Sequence, residues 1–153
     1  MLTKVSQKKI RKSHGAFAIV ASRYNAVYVD AMLEAAEAVL NEAGVRKLRV
    51  VRVPGAFEIP AVAARLADDY YSAIICLGVI IRGQTDHAQQ IGNGVSYALA
   101  KIQVDYALPV IHEVLLLESE AQAKVRCLDK EHNRGAEAAH TALEMAEVME
   151  SLH

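Results

Sequence analysis

Tryptophan is absent from this 153-residue chain, and phenylalanine and tyrosine together supply an aromatic share of only 5%. Hydrophobic residues nevertheless make up 53%, so alanine, valine, leucine and isoleucine carry the apolar content, at the upper edge for one soluble domain. A domain of this length does not bury all of it, which points to subunit contacts. Two cysteines, Cys76 and Cys127, are too few for a disulfide framework. Cys76 lies in an apolar run, where a free thiol is ordinary, and reduced cysteines are expected of a cytoplasmic protein. The net charge of -1 argues against nucleic-acid binding by the body of the chain. No apolar run approaches the ~18 residues of a membrane span, and the first residues hold no apolar signal core, so neither membrane insertion nor secretion is expected.

Other absences narrow the chemistry. There is no phosphate-binding P-loop and no dinucleotide glycine fingerprint, and no Gly-x-Ser-x-Gly elbow. The histidines, at 14, 87, 112, 132, 140 and 153, show no close ligand spacing apart from His132 and His140, so no metal site is expected. Internal repeats, linkers and low-complexity stretches are missing, and the length suits one domain.

Residues 1–13 carry Lys4, Lys8, Lys9, Arg11 and Lys12 and no acid, which reads as a mobile solvated tail. From residue 14 to 153 the pattern is that of a domain. Ala16 to Ala21 is a short buried strand with Ser22-Arg23-Tyr24-Asn25 as its exit loop. Val29, Met32, Leu33, Ala36, Val39 and Leu40 recur at helical spacing, and Gly44 ends that helix. Leu48 to Val53 alternates apolar and basic residues, as an edge strand does, until Pro54-Gly55 breaks it. Pro60 sits in the first turn of a helix reaching about Tyr70. Ala73 to Ile81 is apolar on both faces and reads as a central parallel strand. A long helix from His87 to about Asp105, a strand from Leu108 to Leu117, a short helix from Glu118 to about Arg126 and a last helix to about Met149 follow. Strands alternating with helices imply an α/β fold, a parallel sheet covered on both faces with right-handed crossovers.

Three strand exits hold unusual chemistry: Ser22-Tyr24-Asn25, Gly55-Ala56-Phe57-Glu58, and Arg82-Gly83-Gln84-Thr85-Asp86-His87. A parallel sheet brings all three to one edge, where open α/β sheets bind ligands. Tyr24 and Phe57 offer aromatic surface to a planar ring, and Asn25 and Glu58 offer hydrogen bonds to hydroxyls or amides. The turn from Arg82 enters a helix N-terminus, which suits a phosphate or another anion. Thr85 adds a hydroxyl, and His87 can exchange protons near neutral pH. His112-Glu113 interrupts an apolar strand, and such a pair needs partners if it is buried.

Four ordered motifs resemble one family. They are Ser22-Arg23-Tyr24-Asn25, Val53-Pro54-Gly55-Ala56-Phe57-Glu58-Ile59-Pro60, the run from Leu77 to His87, and Asn133-Arg134-Gly135-Ala136-Glu137-Ala138-Ala139. From about Ala16 to Met149 the chain is similar to the 6,7-dimethyl-8-ribityllumazine synthases. The resemblance implies a single-domain three-layer sandwich, flavodoxin-like, with a four-stranded parallel sheet flanked by helices. It implies a cytoplasmic enzyme of riboflavin biosynthesis that joins 5-amino-6-ribitylaminouracil to 3,4-dihydroxy-2-butanone 4-phosphate and releases phosphate and water, without metal or organic cofactor. Carried over by position, Tyr24 stacks on the pyrimidine; Asn25, the backbone of Ala56, and Glu58 hold the ribityl chain; Ile80 and Ile81 line the ring pocket, beside Phe57. The Gln84 main chain and Thr85 bind phosphate, Arg126 reaches in from a neighbouring subunit, and His87 relays protons. The implied assembly is a pentamer or a dimer of pentamers, with riboflavin synthase a candidate partner.

The pattern departs from the family at Ala88-Gln89, where an aromatic residue and an acid are usual, and at Leu116-Leu117 in place of Thr-Thr. At His112-Glu113 the family has Phe-Gly, so His112 is the residue expected to stack across the subunit boundary. The loop from Leu128 to Asn133 lacks the glycines of members that build 60-subunit shells. A non-catalytic lumazine or flavin carrier and an archaeal-type riboflavin synthase are the competing readings.

Overall fold

The computed structural model describes residues 4–83 and 86–153. Four parallel strands, β1 (Ala16–Ser22), β2 (Lys47–Val53), β3 (Ala73–Ile81) and β4 (Val110–Leu117), form one sheet in the order β2-β1-β3-β4. Every residue of β1 is buried, and so is β3 apart from Ile81, because helices cover both faces. Helices α1 (Ala26–Ala43) and α5 (Arg134–Glu150) close one face around Phe17, Ile19, Ile75 and Leu77; α2 (Ile59–Ala67) and α3 (His87–Tyr106) close the other around Val20, Ile74, Cys76 and Val114. This is the expected three-layer α/β sandwich. Its strand order is that of flavodoxin-like sheets, whose direction of winding reverses between β1 and β3.

Small residues set the spacing of α1 and α5. A methyl group on Gly135 would lie 2.0 Å from the Met32 carbonyl oxygen, so only glycine lets the two backbones come this close. The boundaries match the pattern reading except where local hydrogen bonds intervene. Helix α2 stops at Ala67 because Asp69 and Tyr71 turn back through bonds to the carbonyls of Leu66 and Asp69, which buries the Tyr71 ring. β4 begins at Val110, where the Gln103 side chain accepts the strand's first N–H at 2.9 Å. The expected helix from Glu118 splits into a short α-helical turn, α4 (Glu120–Ala123), and a π-helical turn over Lys124–Leu128. Wide turns of this kind occur disproportionately at functional sites.

The basic segment read as a solvated tail meets the body at several points of its described part. Val5 is buried and its N–H donates to the Glu131 carbonyl at 2.7 Å. Lys8 pairs with Glu137 at 2.7 Å and Arg11 with Glu147 at 3.1 Å. The acidic complement of this arm is the chain's own α5 and the loop before it.

Candidate active site

β1 leaves the sheet beside β2. The N–H groups of Arg23 and Tyr24 donate to the carbonyls of Val53 and Pro54, at 2.8 to 3.2 Å, which sets Tyr24 against the turn that opens with Gly55. Asn25 follows in the left-handed conformation at φ 60°, which asparagine tolerates better than most residues. Its Nδ2 donates to the Val79 carbonyl at 2.7 Å. The Gly55 N–H donates to Glu58 Oε1 at 3.0 Å, so a three-residue helical turn, Ala56–Glu58, holds Phe57 outward. A methyl group on Gly94 of α3 would sit 3.3 Å from the Phe57 ring, so α3 backs that ring. Tyr24 and Phe57 remain 75% and 62% exposed, large and mostly open aromatic surfaces.

These exits enclose a cavity of about 860 Å³, ample for a substrate-sized ligand. It lies at the carboxyl ends of β1 and β3, the point where the winding reverses. Tyr24, Asn25, Ala56, Phe57, Glu58, Ile80, Ile81 and His87 all line it. Eight residues proposed from the sequence are thus brought together. Gly55, Val79, Gly83, Ala88, Gln90 and Ile91 complete the wall. Gln90 and Ile91 escape a motif reading, yet they follow His87 at the spacing of one helix turn. Gln84 and Thr85 lie outside the described residues.

Arg82 directly follows β3. Its guanidinium pairs with Glu118 at 2.7 Å and donates to Gln89, which in turn donates to Asn93 at 2.8 Å. The unusual Gln89 therefore ties α3 to the strand end rather than facing the cavity.

Two expected site residues do not line the cavity of their own chain. Arg126 sits half-buried on the π-helical turn, and its side chain makes no hydrogen bond or ion pair with a described residue. His112 is opposite Cys76 in the β3–β4 register, five residues short of the strand end marked by Ile81 and Leu117. Its Nδ1 accepts the Val114 N–H at 3.1 Å, which leaves the proton on Nε2, 2.7 Å from Ser96 Oγ. Burial lowers its pKa below the ordinary imidazole value, so the ring is a neutral, oriented plate on the outer strand.

Glu113 points to the opposite face. It is 6% exposed and accepts a hydrogen bond from Arg134 at 2.8 Å. Burial raises its pKa, and Arg134 opposes that rise. The charge that disturbs the family pattern at this position is therefore answered on the α5 side, away from the cavity. Among the described residues no three His, Cys, Asp or Glu side chains are placed to hold a metal ion, and no helix is long and apolar enough to cross a membrane.

Comparison with known proteins agrees with this geometry. The family model for 6,7-dimethyl-8-ribityllumazine synthase matches residues 14–150. The 6,7-dimethyl-8-ribityllumazine synthase of Stenotrophomonas maltophilia (strain R551-3) is 40% identical over 139 residues, covering 89% of this chain and 90% of its own. Those of Halorhodospira halophila and Desulfotalea psychrophila are likewise 40% identical, again over 89% of this chain and over 89% and 90% of theirs. The chain belongs to the 6,7-dimethyl-8-ribityllumazine synthase family.

Proposed function

We propose that the chain condenses 5-amino-6-ribitylaminouracil with 3,4-dihydroxy-2-butanone 4-phosphate to give 6,7-dimethyl-8-ribityllumazine, phosphate and water. The observation that carries this reading is the cavity at the β1/β3 crevice, which joins two open aromatic faces, a polar pair and a histidine at the start of a helix.

Tyr24, with Phe57 beside it, covers the pyrimidine between the walls formed by Ile80 and Ile81. Asn25, the main chain of Ala56, and Glu58 hold the ribityl hydroxyls. The Gln84 main chain and the Thr85 hydroxyl take the phosphate; they precede α3 in the sequence, and a helix N-terminus favours an anion. Arg126 of one subunit and the His112 plate reach the cavity of a neighbour. Their absence from their own chain's cavity supports a shared site, as do the bare faces of Tyr24, Phe57 and Tyr97. The proposed assembly is a pentamer or a dimer of pentamers in the cytoplasm, built from residues 14–153, with riboflavin synthase as a partner.

The chemistry needs little beyond these groups and no cofactor. The uracil amine attacks the ketone, and water leaves as the imine forms. Phosphate then departs by elimination, stabilised by the anion site, and the resulting enol becomes a ketone; the second amine adds to that carbonyl, and a second water leaves as the ring closes. His87 moves protons in these steps, and holding two substrates together supplies much of the rate.

The test is to mix purified protein with both substrates and follow lumazine fluorescence and phosphate release against the uncatalysed reaction. Protein-dependent acceleration of both signals supports the synthase. Tight lumazine or riboflavin binding without acceleration would replace it with a carrier, and conversion of lumazine to riboflavin with the sister enzyme.

A further inference from the structure

The Asn133-Arg134-Gly135 run plays no part in the reading above, yet it sits beside the turn that bears Arg126. Asn133 is 7% exposed, and each end of its amide is used. Its Oδ1 accepts the N–H groups of Gly135 at 2.8 Å and Ala136 at 3.1 Å, capping α5. Its Nδ2 donates to the Cys127 carbonyl at 2.7 Å, in a fully buried setting. The cap needs only an oxygen, which serine or aspartate supplies equally well. The nitrogen is what distinguishes asparagine here: beside a longer bond to the Ala31 carbonyl of α1 at 3.4 Å, its short bond goes to the residue next to Arg126.

Cys127 is held from two sides. Its side chain is buried in the core between α1 and α5, and burial pushes its thiol pKa up to about 12, so it packs as an inert apolar group. Its carbonyl lies in the last turn of a helical segment, where the regular pattern leaves carbonyls without partners, and Asn133 satisfies it. Arg126, one residue earlier, is left half-buried, its side chain with no hydrogen bond or ion pair to a described residue. Its backbone is fixed while its guanidinium stays available.

We propose that Asn133 is a positioning residue: through the Cys127 carbonyl it sets the π-helical turn so that Arg126 meets the phosphate of the four-carbon substrate. This inference rests on the assignment of Arg126 to that phosphate. Bidentate recognition of phosphate by arginine is sensitive to geometry, and misplacements near 1 Å cost up to ~10²-fold in rate. Arg134 and Gly135 support the same joint. The Arg134–Glu113 pair ties it to β4, and Gly135 lets α5 start against Met32.

The experiment is a double-mutant cycle with Asn133→Ser and Arg126→Ala, reading KM for each substrate and the melting temperature, with Asn133→Asp as a second variant. Serine and aspartate keep the capping oxygen and lose the donor to Cys127 and Ala31, and the melting temperature reads how far the fold is affected. Asn133→Ser is expected to raise KM for 3,4-dihydroxy-2-butanone 4-phosphate about five- to twentyfold, with KM for the uracil substrate within about twofold, and Asn133→Asp to act in the same direction. In the Arg126→Ala background the same change should have little further effect on KM for the phosphate substrate, since coupled residues are not additive. If Arg126→Ala raises that KM but Asn133→Ser does not, the inference fails while the Arg126 assignment stands. An undiminished Asn133→Ser effect in the Arg126→Ala background, or one equal for both substrates, also overturns it. If Arg126→Ala leaves KM for the phosphate substrate unchanged, the assignment itself falls and the inference with it.

Discussion

The Asn25 side chain donates to the Val79 carbonyl across 2.7 Å, pinning the exit of β1 to β3 while its own backbone stands at φ 60°. One residue therefore makes the left-handed turn and closes the floor of the cavity. Asn25→Ala should lose both features, leaving the carbonyl of buried Val79 without that donor (about 1–2 kcal/mol) and placing a side chain in a region that costs about 1–2 kcal/mol. Asn25→Gly loses only the bond. Chemical denaturation should rank wild type above glycine and glycine above alanine; equal losses for the two variants would remove the strain half of the account.

Gly135 faces the main chain of Met32, not a flexible side chain, and an added methyl group would meet its oxygen at 2.0 Å. Helices α1 and α5 must separate to admit one. Gly135→Ala should cost at least about 2 kcal/mol, in the range of overpacked cores, and lower the melting temperature by roughly 5–10 °C. Intrinsic helix propensity alone would make alanine the better residue by up to about 1 kcal/mol. A melting temperature at or above wild type would mean that propensity outweighs the close approach.

The strand exits were legible because each apolar run ends abruptly in polar residues: Ala16 to Ala21 before Ser22, Val53 before Pro54, Ile81 before Arg82. A parallel sheet then brings those ends to one edge without any knowledge of side-chain geometry. Pairings between distant residues were not legible. His112 finds Ser96 sixteen residues away and Glu113 finds Arg134 twenty-one away, and alternation along β4 sends the two to opposite faces. The acidic partners of the basic arm, Glu131, Glu137 and Glu147, lie toward the other end of the chain. No propensity rule marks the π-helical turn at Arg126, because its width follows from what Cys127 and Asn133 are packed against.

The Glu113–Arg134 pair predicts a pH dependence with a definite sign. Burial raises the Glu113 pKa and Arg134 lowers it, so removing Arg134 must raise it further. A carboxyl whose folded pKa lies above its unfolded value contributes stability below the unfolded pKa, and loses it as pH rises through the folded pKa. Arg134→Met should therefore be most destabilising at pH 8, where a buried carboxylate has lost its cation, and should approach wild type at pH 5 as Glu113 takes up a proton. Glu113→Gln keeps an acceptor for Arg134, whose side chain is 31% exposed, and should suppress the pH dependence of Arg134→Met when the two are combined. Melts of the single and double variants at the two pH values check this; a stability gap independent of pH would show that the carboxylate charge is not the cause.

His87 opens α3 and lines the cavity, with its side chain exposed, so replacing it should leave the fold intact. Under the proposed reaction it moves protons but forms no bond to carbon. His87→Ala should then keep the rate advantage of holding two substrates together, which a general acid/base does not provide. The expected loss in kcat is roughly tenfold to several-hundredfold, within or somewhat below the ~10²–10⁴ typical of general acid/base groups. KM for the uracil substrate should change little, because Tyr24, Asn25 and Glu58 remain. Steady-state kinetics after subtraction of the uncatalysed rate give the answer, and the pH profile of kcat adds a second readout. If His87 is the relay, the pH profile of kcat should differ between the variant and wild type. An unchanged kcat with an unchanged profile would take His87 out of the mechanism and leave the proton transfers to solvent or to the phosphate itself.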